Sequence, residues 1–231
     1  PRSRGIAGLV LVLDVRVEDL VARAILITHG HFDHAADVPR IAEWTGAPVF
    51  ASLSVCESLH DLGVPARQLY PLAGGRGRQV GDVAIRAVPA RHVRFGLVLA
   101  LRVLRRAGFA LFRLWRSLSS YPCGDVLGYR FIGQGVTIVH FGSAGWYPGE
   151  LQKVSPDVAL LPLQGHARIH HMVAEAVAQL RPKIVIPHHH DDFYPPLSEM
   201  VPVAPLRDLL SRRVPEAKVI DPRIGEVMQV L

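Results

Sequence analysis

The sequence predicts an α/β fold in which short buried strands alternate with helices. Two observations support this class. Apolar runs of about four to eight residues, the usual length of a buried strand, recur along the chain. Between them lie helix-like segments that end at glycine or proline, which commonly terminate helices. The length of 231 residues suits one domain, and we expect a single domain over residues 1–231.

The first part of the chain alternates strands with helices. Strands are expected at residues 9–13, 25–27, 47–51, 68–72, 79–88 and 88–92, with a Gly/Arg-rich turn at 74–78. Helices are expected at residues 35–45 and 52–62, because a glycine follows each of these segments.

Residues 96–116 form a basic segment whose charged side chains are all arginines, namely Arg102, Arg105, Arg106, Arg113 and Arg116. On a helix they fall within an arc of about 100°, and apolar residues occupy most of the remaining circumference. The pattern predicts an amphipathic basic helical insert. Its apolar face could pack on the domain or on a sister subunit in a homo-oligomer. Alternatively, the helix could lie on an anionic membrane or cover the active site over a lipid substrate.

The second part continues the alternation. Strands are expected at residues 126–132, 136–141, 157–163, 183–187, 218–220 and 226–231. Helices are expected at residues 170–180, which Pro182 terminates, and at residues 203–213.

The densest group of metal-binding side chains follows the apolar run at residues 25–27. His29, His31, Asp33 and His34 lie within six residues, and imidazole and carboxylate at this density are typical of metal ligands. His29 and His31 are two apart, so in extended chain they can face the same ion. Asp33 and His34 lie beyond the turn, where they could hold a second ion. A solvated histidine-rich loop is the alternative interpretation.

Three later strands also end at polar or metal-binding residues. His92 follows one strand, Ser143 follows another, and residues 188–190 are three consecutive histidines after a third. Strands that end at one edge bring such side chains together, so we expect an open metal site there. Three adjacent side chains cannot all reach one ion, and two of the three histidines are expected to support the site or contact substrate. For His92 alone, a polar strand-end residue without a metal role is the alternative.

The pattern His-x-His-x-Asp-His after an apolar strand and Thr28 resembles the signature of the metallo-β-lactamase fold hydrolases. The chain looks most similar to the ascorbate-phosphate lactonase-like and phospholipase D-like members, from residue 25 to the C-terminus. The resemblance implies a four-layer αββα sandwich. Members usually have two or more strands before the motif, and only residues 1–24 precede it here. We therefore expect a short first sheet or missing N-terminal strands, and the start at Pro1 suggests a processed or truncated chain.

The resemblance also assigns ligands. It implies that His29, His31 and His92 bind a first metal, and that Asp33, His34 and His189 bind a second. Zinc is expected, with manganese or iron as alternatives, and one or two ions are expected to bind. Ser143 stands where most members have an aspartate that bridges the two metals, so a second ion should bind more weakly. Further candidate ligands are Ser143, Asp191 and Asp192.

The activity implied by the resemblance is hydrolysis of a phosphoester, ester or lactone by metal-activated water. Asp33 would orient the water or accept its proton, and His166 would stabilise a developing oxyanion. Three alternatives remain open. They are a membrane-surface phospholipase-like phosphodiesterase that uses residues 96–116, an RNA- or DNA-processing nuclease, and a non-catalytic, metal-poor scaffold.

The net charge of +6 favours an anionic small-molecule or lipid partner, although codon bias towards arginine would also explain it. The arginines of residues 96–116 lack the interleaved aromatic residues of a nucleic-acid platform, which argues against that class of partner. Cys56 and Cys123 show no ligand spacing, which fits a reducing compartment. No apolar run is long enough to span a bilayer. We expect a cytoplasmic protein, or a peripheral one if the basic segment binds a membrane.

Overall fold

A computed structural model of the chain describes residues 2–4, 10–12, 16–94, 119–192 and 198–222. The basic helix predicted at residues 96–116 and the strand predicted at 226–231 lie outside these residues, so both stay predictions. The α-helices that lie wholly within these residues are α1 (Phe32–Ala35), α2 (Val38–Thr45), α3 (Leu53–Asp61), α4 (Pro148–Leu151), α5 (Ile169–Leu180) and α6 (Ala204–Arg213), and Val17–Asp19 and Ala66–Gln68 form short 3-10 helices.

The strands fall into two main sheets and one separate pair. The strands of the N-terminal part are β1 (Arg2–Arg4), β2 (Val10–Val12), β3 (Ile25–Leu26), β4 (Val49–Ala51), β5 (Leu69–Pro71), β6 (Gly77–Val80) and β7 (Val83–Arg91). The later strands are β8 (Leu127–Gly133), β9 (Val136–Phe141), β10 (Gly145–Trp146), β11 (Val158–Pro162), β12 (Ile184–His188) and β13 (Lys218–Val219). Among described residues, β1 and β2 pair only with each other.

The larger sheet has the strand order β10-β7-β8-β9-β11-β12-β13, and β6 also pairs with β7. Its first part is antiparallel, and β9, β11, β12 and β13 run parallel. Helix α5 connects β11 to β12 and packs against this parallel part. The smaller sheet, β3-β4-β5, is parallel, with α2 and α3 packed against it.

Three apolar clusters hold these layers together. The largest joins the parallel part of the larger sheet to α5 and α6, and a second joins β4 to α2 and α3. The third lies between the sheets, where Leu26 of β3 packs against a cluster that includes Leu127 and Tyr129 of β8. The buried Tyr129 hydroxyl lies 2.8 Å from the Ile27 carbonyl oxygen, so it also links the sheets by a hydrogen bond. The order of layers is therefore helices, sheet, sheet, helices, and the predicted αββα sandwich is confirmed.

Three segments differ from the sequence prediction. The strand predicted at residues 79–88 is interrupted by a turn at Gly81 and Asp82, and β7 runs on through most of the strand predicted at 88–92. The helix predicted at residues 35–45 is divided into α1 and α2 by a turn at Ala36 and Asp37, because Pro39 occupies the first turn of α2 and lacks a backbone N–H. The turn predicted at residues 74–78 is shorter, since Gly77 and Arg78 already belong to β6. The hairpin from β6 to β7 turns at Gly81, whose φ of +56° suits glycine.

Candidate metal centre

The predicted ligands converge because four strands end at one region between the two sheets. Thr28 and His29 come shortly after β3 of the smaller sheet, whereas His92 follows β7 of the larger one. His189 follows β12, and Ser143 lies just after β9. This geometry gives a physical reason for the polar strand ends seen in the sequence, since each strand delivers its side chain to a shared position.

The first group of candidate ligands is His29, His31 and His92, whose ligand atoms all lie within 4.8 Å of one another. The ring centroids are 4.9 Å apart for His29 and His31, and 4.6 Å apart for His31 and His92. Three imidazoles at this spacing can hold one divalent ion and leave a further coordination position for water or substrate.

The second group is Asp33, His34 and His189, which meets the same 4.8 Å criterion. Asp33 Oδ2 lies 3.1 Å from His189 Nε2 and 3.3 Å from His34 Nε2. The rings of His29 and His34 are 4.0 Å apart at their centroids, so the two groups adjoin.

Burial keeps the first group in the neutral state that binds metals. It lowers the pKa of His29 far below its usual range, and neighbouring histidines add to this effect. Burial likewise lowers the pKa of His31 to about 4, and it lowers the pKa of His92. At neutral pH these rings are therefore uncharged, and each has a nitrogen lone pair available for an ion.

For the carboxyl group of Asp33, neighbouring side chains together affect the pKa more than burial does. Burial would raise the pKa of its carboxyl, but the stronger combined effect of hydrogen bonds and positive charge from His189 and His34 holds that pKa well below its usual range. The carboxylate is therefore ionised at neutral pH, as a metal ligand must be.

Hydrogen bonds orient the first group. His92 Nδ1 lies 2.9 Å from the Val93 carbonyl oxygen, which can only accept, so Nδ1 carries the proton and Nε2 has the lone pair. His29 Nδ1 lies 3.0 Å from the Thr28 hydroxyl. The sequence motif includes Thr28 but does not predict this contact. The position of Thr28 directly before His29 is the one signal for it in the sequence.

Two glycines permit close packing around the metal loop, which is the segment of residues 28–34 that carries four of the candidate ligands. A Cβ on Gly142 would lie 2.1 Å from Thr28 Oγ1, so the ends of β3 and β9 could not approach as they do. A Cβ on Gly30 would lie 2.2 Å from the Pro122 carbonyl oxygen, and the Gly30 N–H donates to the Cys123 carbonyl oxygen at 2.8 Å. The metal loop is therefore held between β9 and residues 122–123.

The other predicted site residues lie outside the two groups. Ser143 is buried, and its Oγ accepts a hydrogen bond from the Val93 N–H at 2.9 Å. Asp192 accepts a hydrogen bond from the Ser198 hydroxyl, and neither group includes Asp191. The His166 Nδ1 accepts from the Arg168 N–H at 3.1 Å. The roles predicted for these four residues stay predictions.

The two histidines that flank His189 have separate partners. His188 Nε2 donates to the Phe141 carbonyl oxygen at 3.0 Å, and its ring stacks on His140 with centroids 4.8 Å apart. His190 Nε2 lies 3.4 Å from Asp221 Oδ1. Of the three adjacent histidines, His189 is thus the one grouped with Asp33 and His34, as the resemblance implies.

A sandwich of this layer order, with two His/Asp groups at the ends of its strands, defines the class of metallo-β-lactamase fold hydrolases. The chain belongs to this superfamily, because the family described as "Beta-lactamase superfamily domain" matches residues 14–190. The predictions of a metal-dependent hydrolase and of this fold are both confirmed.

Relatives agree with this assignment. A protein of Myxococcus xanthus (strain DK1622) named "UPF0173 metal-dependent hydrolase" is 35% identical over 206 residues, which are 87% of this chain and 66% of that protein. A protein of Thermoplasma volcanium with the same description is 29% identical over 225 residues, 94% of this chain and 85% of the relative. The solved structure of Igni18, a metallo hydrolase from Ignicoccus hospitalis, has a TM-score of 0.68 at 25% identity and covers 95% of this chain and 84% of its own.

Within the part of the chain that the structure describes, no helix combines the length and the apolar character needed to cross a bilayer.

Proposed function

We propose that the chain hydrolyses an anionic phosphoester, ester or lactone with the help of zinc. The observation that supports an anionic substrate is the composition of the two ligand groups, in which Asp33 is the one carboxylate beside five histidines among the described residues. Two divalent ions would bring about four positive charges. Neutral imidazoles bring no charge, so among these ligands only the Asp33 carboxylate offsets a positive charge. The remaining positive charge favours a phosphoryl or carboxylate group on the substrate.

The donor atoms suit zinc. Imidazole nitrogen and carboxylate oxygen are common zinc ligands, although manganese and iron accept similar sets. Each group offers three ligands within 4.8 Å, so His29, His31 and His92 would hold one ion and Asp33, His34 and His189 a second.

Bound zinc would supply Lewis acidity, which acidifies water and polarises the scissile group. The residues of the chain orient the reactants. Asp33, with its lowered pKa, is too weak a base to keep a proton, so its expected role is to hold water by a hydrogen bond. The Arg168 N–H bonds to His166 Nδ1, so a neutral His166 has its proton on Nε2 and can donate it to a developing oxyanion.

A metal count and a substrate panel on one preparation test the proposal. Protein purified without chelators should contain one or two zinc ions per chain. The panel contains bis(4-nitrophenyl) phosphate, a lactone, and two 4-nitrophenyl esters of equal chain length, one with a free carboxylate and one uncharged. Anionic members should react faster than the uncharged ester. Protein without metal, or faster turnover of the uncharged ester, would contradict the proposal.

The variant His31→Ala removes one ligand of the first group, and we expect a loss of at least about 100-fold in kcat/KM. His171→Ala is the matched control, because His171 is an exposed residue of α5. Equal activity of the two variants would place the reaction elsewhere. Single-stranded RNA and DNA added to the panel test the nuclease alternative, and absence of metal would favour a scaffold.

A further inference from the structure

We propose that Gln164 is a positioning residue that fixes the tautomer of His189 and joins this histidine to both ends of the segment between β12 and α6. The inference rests on the proposed function in one respect, namely that His189 binds a metal. Gln164 lies just beyond β11, and β11 pairs in parallel with β12, with Pro162 opposite His188. The register brings Gln164 to the end of β12, where its side chain reaches His189.

The contacts of its side-chain amide fix the orientation of that group. Gln164 Nε2 lies 3.0 Å from the Glu199 carbonyl oxygen and 3.3 Å from the Asp191 carbonyl oxygen. Carbonyl oxygens only accept hydrogen bonds, so the atom that faces both of them must be the NH2 group. The reversed amide would place three oxygens against one another.

The amide oxygen must then face His189. Gln164 Oε1 lies 3.1 Å from His189 Nδ1, and an amide oxygen only accepts, so Nδ1 carries a proton. In the metal-free protein Nε2 can donate to Asp33 Oδ2, whereas in a neutral ring that binds an ion the lone pair is on Nε2. That atom lies 3.1 Å from Asp33 Oδ2, and two electron-pair donors so placed suit a shared cation.

The backbone at His189 needs such restraint. Its φ is +54°, in the left-handed region that residues other than glycine seldom adopt. Such a conformation persists when surrounding contacts determine it. Gln164 supplies one of these contacts through the side chain, and the Leu163 N–H donates to the His188 carbonyl oxygen at 2.9 Å.

The same amide also holds the two ends of the following connection. The Gln164 amide bonds to the carbonyl oxygens of Asp191 and Glu199. In addition, the Val201 N–H donates to the His190 carbonyl oxygen at 2.8 Å. The Ser198 hydroxyl bonds to Asp192 Oδ1. Gln164 therefore contacts both His189 and the two joined ends of the connection, residues 190–192 and 198–201. A movement of these ends should shift His189, and a movement of His189 should shift these ends.

Two substitutions separate positioning from simple packing. Gln164→Leu keeps the size of the side chain and removes all three hydrogen bonds, whereas Gln164→Glu keeps an oxygen that can accept from His189 Nδ1. Gln179→Leu is the control, since Gln179 is an exposed residue of α5. Zinc affinity is measured by competition with a chromophoric chelator, and the His189 tautomer is measured by 15N NMR of the metal-free protein.

For Gln164→Leu we expect about 10- to 100-fold weaker binding of the second zinc and unchanged binding of the first. Gln164→Glu loses the two bonds to the Asp191 and Glu199 carbonyl oxygens but can still accept from Nδ1, so its NMR spectrum, like that of the parent, should show the proton on Nδ1. The proposal is overturned if Gln164→Leu binds both ions like the parent, or if the parent has an unprotonated Nδ1. A parent that binds no zinc would refute the proposed function, and the tautomer would still test the role of Gln164.

Discussion

The Val93 N–H donates a hydrogen bond to Ser143 Oγ at 2.9 Å, which links the residue after His92 to the end of β9. Both residues are buried, so neither group can turn to water instead. Ser143 thus supports the loop that presents His92.

Removal of this hydroxyl should loosen His92. In Ser143→Ala the buried Val93 N–H loses its partner, so the free energy of unfolding should fall by about 1–2 kcal/mol. Zinc bound by the first group should be released about tenfold more readily to a chelator, because the loop of His92 is less fixed. Chemical denaturation and chelator competition measure the two effects. Ser211→Ala, at an exposed position of α6, is the control, and an identical result for both variants would contradict a supporting role.

The close approach of Gly142 to Thr28 gives a steric prediction. A methyl group at position 142 would lie 2.1 Å from Thr28 Oγ1 and 2.8 Å from Thr28 Cβ, so Gly142→Ala must push the ends of β3 and β9 apart. We expect a loss of about 3 kcal/mol in the free energy of unfolding, together with weaker zinc binding, because Thr28 contacts His29. Gly149→Ala is the matched control, since a Cβ there meets nothing within 4 Å. Equal stability of the two variants would show that the strand ends can move at little cost.

Prediction from the sequence succeeded where local pattern and chemistry coincide. Apolar runs indicated most strands, and the spacing of His29, His31, Asp33 and His34 indicated side chains that the structure brings together in two adjoining groups. The family resemblance was needed to choose His189 from three adjacent histidines. The contact between Gly142 and Thr28 joins two sheets and leaves no periodic signal in the chain. A glycine at a strand end looks like any other turn residue until its neighbour across the layers is known.

The pairing of Gln164 with His189 escaped prediction for a related reason. It depends on the parallel register of β11 and β12, which a sequence does not specify by itself. The break between α1 and α2 was also missed, because the helical pattern continues across Ala36 and Asp37, whose φ and ψ angles stay helical, although Pro39 lacks the N–H that would continue the hydrogen bonding. Tertiary contacts decided the pairing of Gln164 with His189, whereas Pro39 decided the break between the two helices.

His140 should make stability depend on pH. Burial lowers its pKa to about 4, and the charge of His34 adds to this effect, whereas the pKa of an unfolded histidine is about 6.5. Between these values the unfolded chain takes up a proton that the folded chain does not, so stability is complete above about pH 6.5 and falls towards pH 4. From pH 7 to pH 5 this residue should cost about 2 kcal/mol.

The measurement compares metal-free parent protein with His140→Phe, which keeps a ring that can stack on His188. Urea denaturation at pH 7 and pH 5 should show a smaller loss of stability in the variant, by about 2 kcal/mol. An equal loss in both proteins would mean that His140 takes up its proton in the folded state.

The basic segment at residues 96–116 gives a prediction about membranes. The described residues on either side of it both lie at the metal centre, because His92 belongs to the first ligand group and the Cys123 carbonyl oxygen bonds to the Gly30 N–H. The part of the chain between these residues therefore starts and ends near the metal centre, and five arginines on one face of the predicted helix would attract anionic lipid. We expect the protein to float with vesicles that contain phosphatidylserine and not with phosphatidylcholine vesicles. Salt should weaken this binding, since surface charges are screened.

A variant with Arg105 and Arg106 changed to glutamine should bind the vesicles less. The control variant has the same change at Arg212 and Arg213 of α6. Equal flotation of both double variants, or no flotation of the parent protein, would contradict membrane binding by this segment. Packing against the domain or a sister subunit would then be the favoured interpretation.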